Sequence, residues 1–351
     1  MKKILVISKA VSINLYRTGL KHYENTHNAI SIDIYCLDVP KNKLSTFDRI
    51  RYKLDIGGFK KSYYDCQRAE LCKLIEKYDQ ILFINLFYDD EYFIQGELKE
   101  ALKRKDCRLY FVDTVKSIDQ NITFLDVFSK IYSFEKDDIE YLKDRFGIAS
   151  EYLPVGTSYK YFIDDNDLHM EKDIDVCFVG MASPKRLQYL ELLVDYCSKN
   201  NKKIFIAGHF WHNNNWINYT IGKYKFPKKH PLLAKYVHNT FVQPADLAKL
   251  YCRSKIVLNI NVVYHKSPNQ RNFDVMVCDS LLITDKQEMA GLPLEAGKDF
   301  IMTDGAEEML AKVKFYLEHE DERQKIANKG RSVAEAYFLY ETTLERLLST
   351  N

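Results

Sequence analysis

Two turns in the later half of the chain gather residues able to grip an anion. The first, Gly180-Met181-Ala182-Ser183-Pro184-Lys185-Arg186, follows directly on the apolar run DVCFVG at 175–180. A glycine there lets the backbone come close to a ligand, and the helix that follows would present free N–H groups to an anion. Lys185 and Arg186 in the first helical turn oppose the helix dipole unless an anion offsets them. Two readings follow: a diphosphate clamp, or a tight turn with two solvated bases. The second turn runs from Ser267 to Asp274 (SPNQRNFD), after the strand-like run KIVLNIN at 255–261. Pro268 and the amides of Asn269 and Asn272 mark a loop, Arg271 can fork onto a phosphate, and Asp274 falls in the first turn of the next helix. A carboxylate so placed can accept two ribose hydroxyls. Taken alone, it reads better as a helix N-terminal acid worth roughly 0.3 kcal/mol.

Other residues invite metal or membrane chemistry. His209 and His212 in GHFWHNNNW have metal-like spacing, but no third ligand follows at a zinc-type interval, which favours polar loop residues. Asp165-Asn166-Asp167 and Asp173-Ile174-Asp175 have the DxD form yet fall in a linker or at a strand start, where solvated acids are the commoner use. The stretch 41–68 holds eight bases against three acids, with Phe47, Tyr52, Phe59, Tyr63 and Tyr64 interleaved. That pattern fits peripheral contact with an anionic membrane surface or a lipid-diphosphate acceptor, and equally a solvated helix face. KYKFPKKH at 223–230 is a shorter version of it.

The elements that must position these residues read as strand–helix alternation. ILVIS (4–8), SIDIYCL (31–37), QILFINL (80–86), RLYFVD (108–113) and KIYSF (130–134) are short and rich in Ile, Val, Tyr and Phe, as buried parallel strands are. Helical spacings fill 64–78, 96–104 and 136–146. A polar stretch between Pro154 and Asp175 reads as a linker, after which the pattern restarts. DVCFVG, KIFIAG (203–208), FVQ (241–243), KIVLNIN and LLITD (281–285) alternate with helices at about 185–199, 245–254 and 272–280, and helical sequence fills 306–348. Two successive α/β domains with doubly wound parallel sheets follow.

Composition agrees. The 351 residues carry 51 basic and 49 acidic side chains, a formal net charge of +2, and are 46% hydrophobic. Disorder and coiled coil are poor readings, the length exceeds a single core, and a dedicated nucleic-acid binder would be far more basic. Eight scattered cysteines without a CxxC pair suit reduced thiols, and no apolar run approaches a membrane span. MKKILVIS reads as a first strand rather than a leader. A cytoplasmic protein is expected, with peripheral contact at the inner face of the membrane through 41–68 as the alternative to a fully soluble one.

The succession DVCFVGMASPKRLQYLELL, ADLAKLYCRSKIVLNIN, RNFDVMVCDSLLITDKQE and GKDFIMTDGAEEMLAKVKFYLEHEDERQKIANKGRSVAEAYFLYETTLERLL resembles the carboxyl-terminal domain of GT-B glycosyltransferases. The match is to the CgeB-like, spore-maturation-protein-like group and to group 1 glycosyl transferases, and it covers Asp175 to the end. The resemblance implies two Rossmann-like domains facing a cleft: 1–165 on the acceptor side, 170–330 holding a nucleotide-sugar donor, and a helix at 331–351 crossing back. It implies a nucleotide-diphosphate-sugar donor, no further cofactor or metal, and a glycan or lipid-linked acceptor in surface polysaccharide biosynthesis. Asp274 stands at the family's ribose-binding acid, Gly180, Lys185 and Arg186 on the phosphate-side turn, and Phe241, Val242 and Gln243 where main-chain groups meet the base. Asn269, Arg271 and Asn272 complete the donor side. Retaining members of the wider superfamily carry two glutamates eight positions apart; here Lys266 and Asp274 occupy those places, which leaves the stereochemistry open.

Sugar transfer needs charge stabilisation on the departing diphosphate and a base for the acceptor hydroxyl. Asp113, at the end of RLYFVD, is the chosen base, with capping of the next turn as its plain alternative. Asp89, Asp90, His22 and His27 are weaker candidates, and His209 at a strand end is placed to touch sugar or phosphate. The rival functions are a sugar-nucleotide epimerase of the same shape and a non-catalytic nucleotide-sugar-binding or scaffolding partner.

Overall fold

The structure is a computed structural model that describes residues 1–37, 45–85, 93–117, 122, 124–209, 211, 216–262, 265–289 and 291–349. The chain divides into two compact units, Met1–Pro154 with Tyr340–Asn351, and Val155–Leu339. Among the described residues, no helix is long and apolar enough to cross a membrane.

The first unit runs β1 (Lys2–Ser8), α1 (Ala10–Thr26), β2 (Ile30–Cys36), α2 (Thr46–Leu54), α3 (Phe59–Ile75), β3 (Gln80–Ile84), α4 (Gly96–Lys103), β4 (Asp106–Phe111), β5 (Lys130–Ser133), α5 (Asp137–Phe146) and β6 (Glu151–Tyr152). Its described strands form one parallel sheet in the order β2-β1-β3-β4-β5-β6, with the switch between β1 and β3. Ile4 to Ile7 and Ile81 to Ile84 are buried throughout, as expected of central strands covered on both faces.

The second unit runs α6 (Asp165–Leu168), β7 (Ile174–Val179), α7 (Pro184–Lys199), β8 (Ile204–Ala207), α8 (Trp216–Lys229), β9 (Val237–His238), α9 (Pro244–Cys252), β10 (Ser254–Asn259), α10 (Gln270–Val277), β11 (Leu281–Asp285), β12 (Ile301–Thr303), α11 (Ala306–Glu318) and α12 (Glu320–Tyr337). Its sheet is again parallel, in the order β12-β11-β10-β7-β8-β9. The chain winds outward from β7 through β8 and β9, then returns to build β10, β11 and β12 on the other side. The switch point therefore lies between β7 and β10. α13 (Tyr340–Leu348) belongs to the first unit.

The expected linker at 154–175 is instead part of the second core. Tyr159 and Leu168 are buried with Ile174, Cys177 and Val257, and a capping box between Asp164 and Asp167 opens α6. The units accordingly meet near residue 155 rather than 165–170. Helix α12 runs on to Tyr337 because Val333 and Ala334 still face that core, so the crossing helix begins at Tyr340 rather than 331. The FVQ strand is absent: pairing with β8 is made by Val237–His238, and Phe241–Gln243 lead into α9.

Candidate functional site

At the switch point of the second sheet two arginines lie on the same ring. The Arg186 and Arg271 guanidinium carbons are 5.6 and 6.0 Å from the centroid of Phe178, on β7. Arg186 is buried and donates to the carbonyls of Ile260 at 2.8 Å and Met181 at 3.0 Å, pinning the β10 exit to the β7 exit. The start of α7 is also occupied: Pro184 has no N–H, and the Arg186 N–H is taken by the Ser183 hydroxyl at 3.2 Å. Lys185 is held 2.5 Å from the buried carboxylate of Asp285. Gly180, Lys185 and Arg186, expected as a clamp, are thus engaged within the fold. Lys185 neutralises Asp285 and Arg186 binds main-chain carbonyls, and what they fix is the geometry of the strand ends. Arg271 is only half-buried and donates to Asn259 Oδ1 at 2.9 Å.

Around these bases runs a web of amides in which Asn269 and Asn272, expected on the donor side, are joined by Asn259, Asn261 and Gln287, which the sequence did not single out. Asn259 donates to the side-chain oxygens of Asn269, at 3.1 Å, and Asn272. Asn269 donates to Asn261 Oδ1 at 2.5 Å, Asn272 to Gln287 Oε1 at 2.6 Å, and Gln287 to Thr284 Oγ1 at 2.6 Å. The Asn261 N–H reaches Asp285 Oδ2 at 3.0 Å. Asn269 also caps α10 through the Arg271 N–H. Asn269 and Asn272 therefore order the loop that carries Arg271. The available signal was the pair of asparagines closing KIVLNIN and the Thr-Asp-Lys-Gln run that ends the next strand.

Next to this, β7 and β8 exit in close contact. Gly208 has φ +145°, and a Cβ there would lie 2.1 Å from the Gly180 carbonyl oxygen, so only glycine fits. The Gly180 carbonyl accepts the Trp211 indole N–H at 3.1 Å. Gly180 thus gives close approach to Gly208 and Trp211, where approach to a ligand was expected. His209 follows in the open, its ring stacked on Phe241 with centroids 5.5 Å apart and planes 9° from parallel. Phe241 is 56% exposed, Val242 packs toward the core, and Gln243 precedes α9 as its cap residue.

Asp274 does not stand at the mouth of the sheet. Its side chain is 6% exposed, and Oδ1 accepts the Thr157 hydroxyl at 2.5 Å and the Gln270 amide at 3.4 Å. Burial pushes its pKa up to about 7 against these hydrogen bonds and the nearby Arg271. The carboxylate expected to hold a ribose is engaged by Thr157, on the segment that opens the second unit. Lys266 is exposed, with its ammonium 3.8 Å from Glu288.

In the first unit, Asp113 sits past the end of β4, half-buried, and accepts the Thr114 N–H at 3.0 Å, the capping use foreseen as its alternative. Beneath it, buried Asp138 accepts from Thr114 Oγ1, the Val115 N–H and Ser133 Oγ. Asn85, the residue after β3, is 4% exposed at φ +57°, and its Oδ1 has no partner among the described residues. His22 pairs with Glu341 at 2.7 Å and His27 stacks on Tyr23. Asp89, Asp90, His212, Lys41 and Lys43 lie outside the described residues. The DxD acids are used structurally: Asp167 in its cap, Asp173 by Arg253 at 2.7 and 2.9 Å, Asp175 by Lys255 at 2.7 Å. Among the described residues, no three His, Cys, Asp or Glu side chains converge as a metal set.

Residues 190–349 match the family model described as glycosyl transferase-like. The spore protein CgeB of Bacillus subtilis (strain 168) is 24% identical over 244 residues, covering 64% of this chain and 69% of its own. Among solved structures, a glycosyltransferase from Rickettsia africae ESF-5 superposes with a TM-score of 0.64 at 14% identity, over 100% of this chain and 99% of its own. Anabaena Alr3699/HepE in complex with UDP-glucose gives 0.60 at 12%, over 99% and 98%. A UDP-GlcNAc 2-epimerase from Neisseria meningitidis gives 0.53 at 12%, over 98% and 100%. The resemblance read from the sequence is borne out: residues 190–349 match the glycosyl transferase-like model, the chain is similar to CgeB, and its fold is that of the GT-B neighbours.

Proposed function

We propose that this protein is a glycosyltransferase that moves a sugar from a nucleoside-diphosphate-sugar to a glycan or glycolipid acceptor in surface polysaccharide assembly. The observation that carries the reading is the exposed His209–Phe241 ring stack at the exit of β8, two strands along the sheet from the half-buried Arg271 at the exit of β10. An exposed aromatic face suits a nucleobase, and a cation held at a strand end suits the diphosphate. In this reading Phe241 and Gln243 meet the base, His209 the sugar or phosphate, and Arg271 and Lys266 the departing charge. Asp113 takes the acceptor proton. Side-chain cations stabilise the leaving group, so chelators leave the rate unchanged. The UDP-glucose held by HepE makes UDP the first nucleotide to test.

A thermal-shift screen of UDP, GDP, ADP and CMP tests the reading. A diphosphate at a hundred times its Kd adds about 2.7 kcal/mol of stability, a shift of several degrees. The shift is expected to shrink in Phe241→Ala and Arg271→Ala. The proposal fails if no nucleotide moves the melting temperature. The epimerase-like neighbour supplies the second reading, which predicts turnover of the matching nucleotide sugar to its epimer with no acceptor present.

A further inference from the structure

Helix α2 is amphipathic with its apolar side turned outward. Phe47, Ile50 and Leu54 recur at spacings of three and four, so they share one stripe. They are 69%, 49% and 65% exposed, and Ile56 just beyond the helix is 49% exposed. The residue that anchors the helix is Tyr52, on the opposite side. Its hydroxyl lies 3.0 Å from that of Tyr64, and its ring meets Tyr63 edge-on. Tyr64, Leu71 and Ile75 then carry α3 into the core, so α2 is joined to the first unit by its polar-aromatic back. Ser45 caps its start and Asp55 closes it in the left-handed region, before Gly57 and Gly58 at φ +67°.

Basic residues are frequent along this segment. From Ser45 to Arg68 the sequence carries Arg49, Arg51, Lys53, Lys60, Lys61 and Arg68 against Asp48, Asp55 and Asp65. Arg51 lies 5.8 Å from the Phe47 ring and 4.6 Å from that of Phe59, so its charge stands next to the apolar stripe. Neighbouring apolar stripe and basic residues form the pattern of a helix that lies in a membrane interface, with rings and aliphatic chains among acyl groups and cations at anionic headgroups. A protein partner would be expected to bury the stripe against apolar surface without needing the basic residues.

We propose that α2 docks the first unit on an anionic lipid bilayer, with Phe47, Ile50 and Leu54 inserted. The inference is independent of the donor site, since its readout needs no nucleotide. The full-length protein is sedimented with phosphatidylcholine vesicles and with vesicles containing about 30% phosphatidylglycerol. Binding to the second set alone is expected, weakening as salt rises. The double variant Phe47→Ser, Leu54→Ser should lose about tenfold in partitioning. Its melting temperature should hold, because both side chains are already in water. Arg49→Glu with Lys61→Glu should abolish the preference for anionic vesicles. Leu54→Trp should be quenched by brominated acyl chains. The proposal is overturned if wild type ignores anionic vesicles, if the serine variant binds as well, or if the stripe instead drives self-association that the serine variant abolishes.

Discussion

Asp274 shows how far a residue's neighbours can change its meaning. Its ordinary carboxyl pKa is near 4, and in the folded protein burial raises it to about 7. The folded state therefore holds a proton that the unfolded chain releases across that interval. Stability from this group is full below about pH 4, falls as pH rises to 7, and stays low above, a loss of about 4 kcal/mol. Asp274→Asn keeps an acceptor for the Thr157 hydroxyl and removes the charge. Denaturant unfolding at pH 5 to 8 should show the variant more stable than wild type at pH 8, with a flatter pH dependence. An unchanged slope would rule out the buried carboxyl as its source. Sequence placed Asp274 on the right helix but in its first turn, whereas α10 begins at Gln270 and no acid falls in that turn. It could not supply Thr157, which lies 117 residues earlier and turns an N-terminal acid into an interior one. The same limit hid the ion pair of Lys185 with Asp285, 100 residues apart, and the Arg186 contact to Ile260, 74 apart.

Elements were far more legible than contacts, because a buried parallel strand is an uninterrupted apolar run. ILVIS, DVCFVG, KIVLNIN and LLITD lie where β1, β7, β10 and β11 form. Short edge strands carry no such run: β9 has two residues, and the better-looking FVQ has no partner strand. α1 went unread because its sequence, AVSINLYRTGLKHYENT, mixes polar residues among the apolar ones. Gly330 shows an element-scale effect that propensity misreads. In an exposed helix Gly→Ala gains about 1 kcal/mol. In α12 the added Cβ would lie 2.2 Å from the Asp299 carbonyl oxygen and against Met276. Gly330→Ala should therefore destabilise by roughly 1–3 kcal/mol, as overpacking does, in urea unfolding. A gain would mean that the loop carrying Asp299 yields freely.

At the scale of the molecule, the first unit is discontinuous in sequence. α13 buries Tyr340, Leu344, Leu347 and Leu348 there, with Tyr340 4.7 Å from Tyr16 and packed on Gly19. Its last carbonyls accept from Arg108 at 2.9 Å and Lys2 at 2.8 Å. Ending the chain at Leu339 would strip these apolar contacts and leave the buried Arg108 guanidinium one acceptor short. Hydrogen exchange should then rise across β1, β3 and β4 while β7, β10 and β11 keep their protection. Equal loosening of both sheets would show that the units do not unfold separately. The resemblance foresaw a returning helix; its start at Tyr340 is set by how long α12 keeps apolar residues for the second core.

That discontinuity has a temporal side. A chain is made from its amino terminus, and domains ordinarily mature in that order. Here residues 1–154 wait for a helix encoded at 340–348. The middle of the polypeptide, 155–339, has all its own strands in hand sooner. On the ribosome, the half translated first is thus completed last.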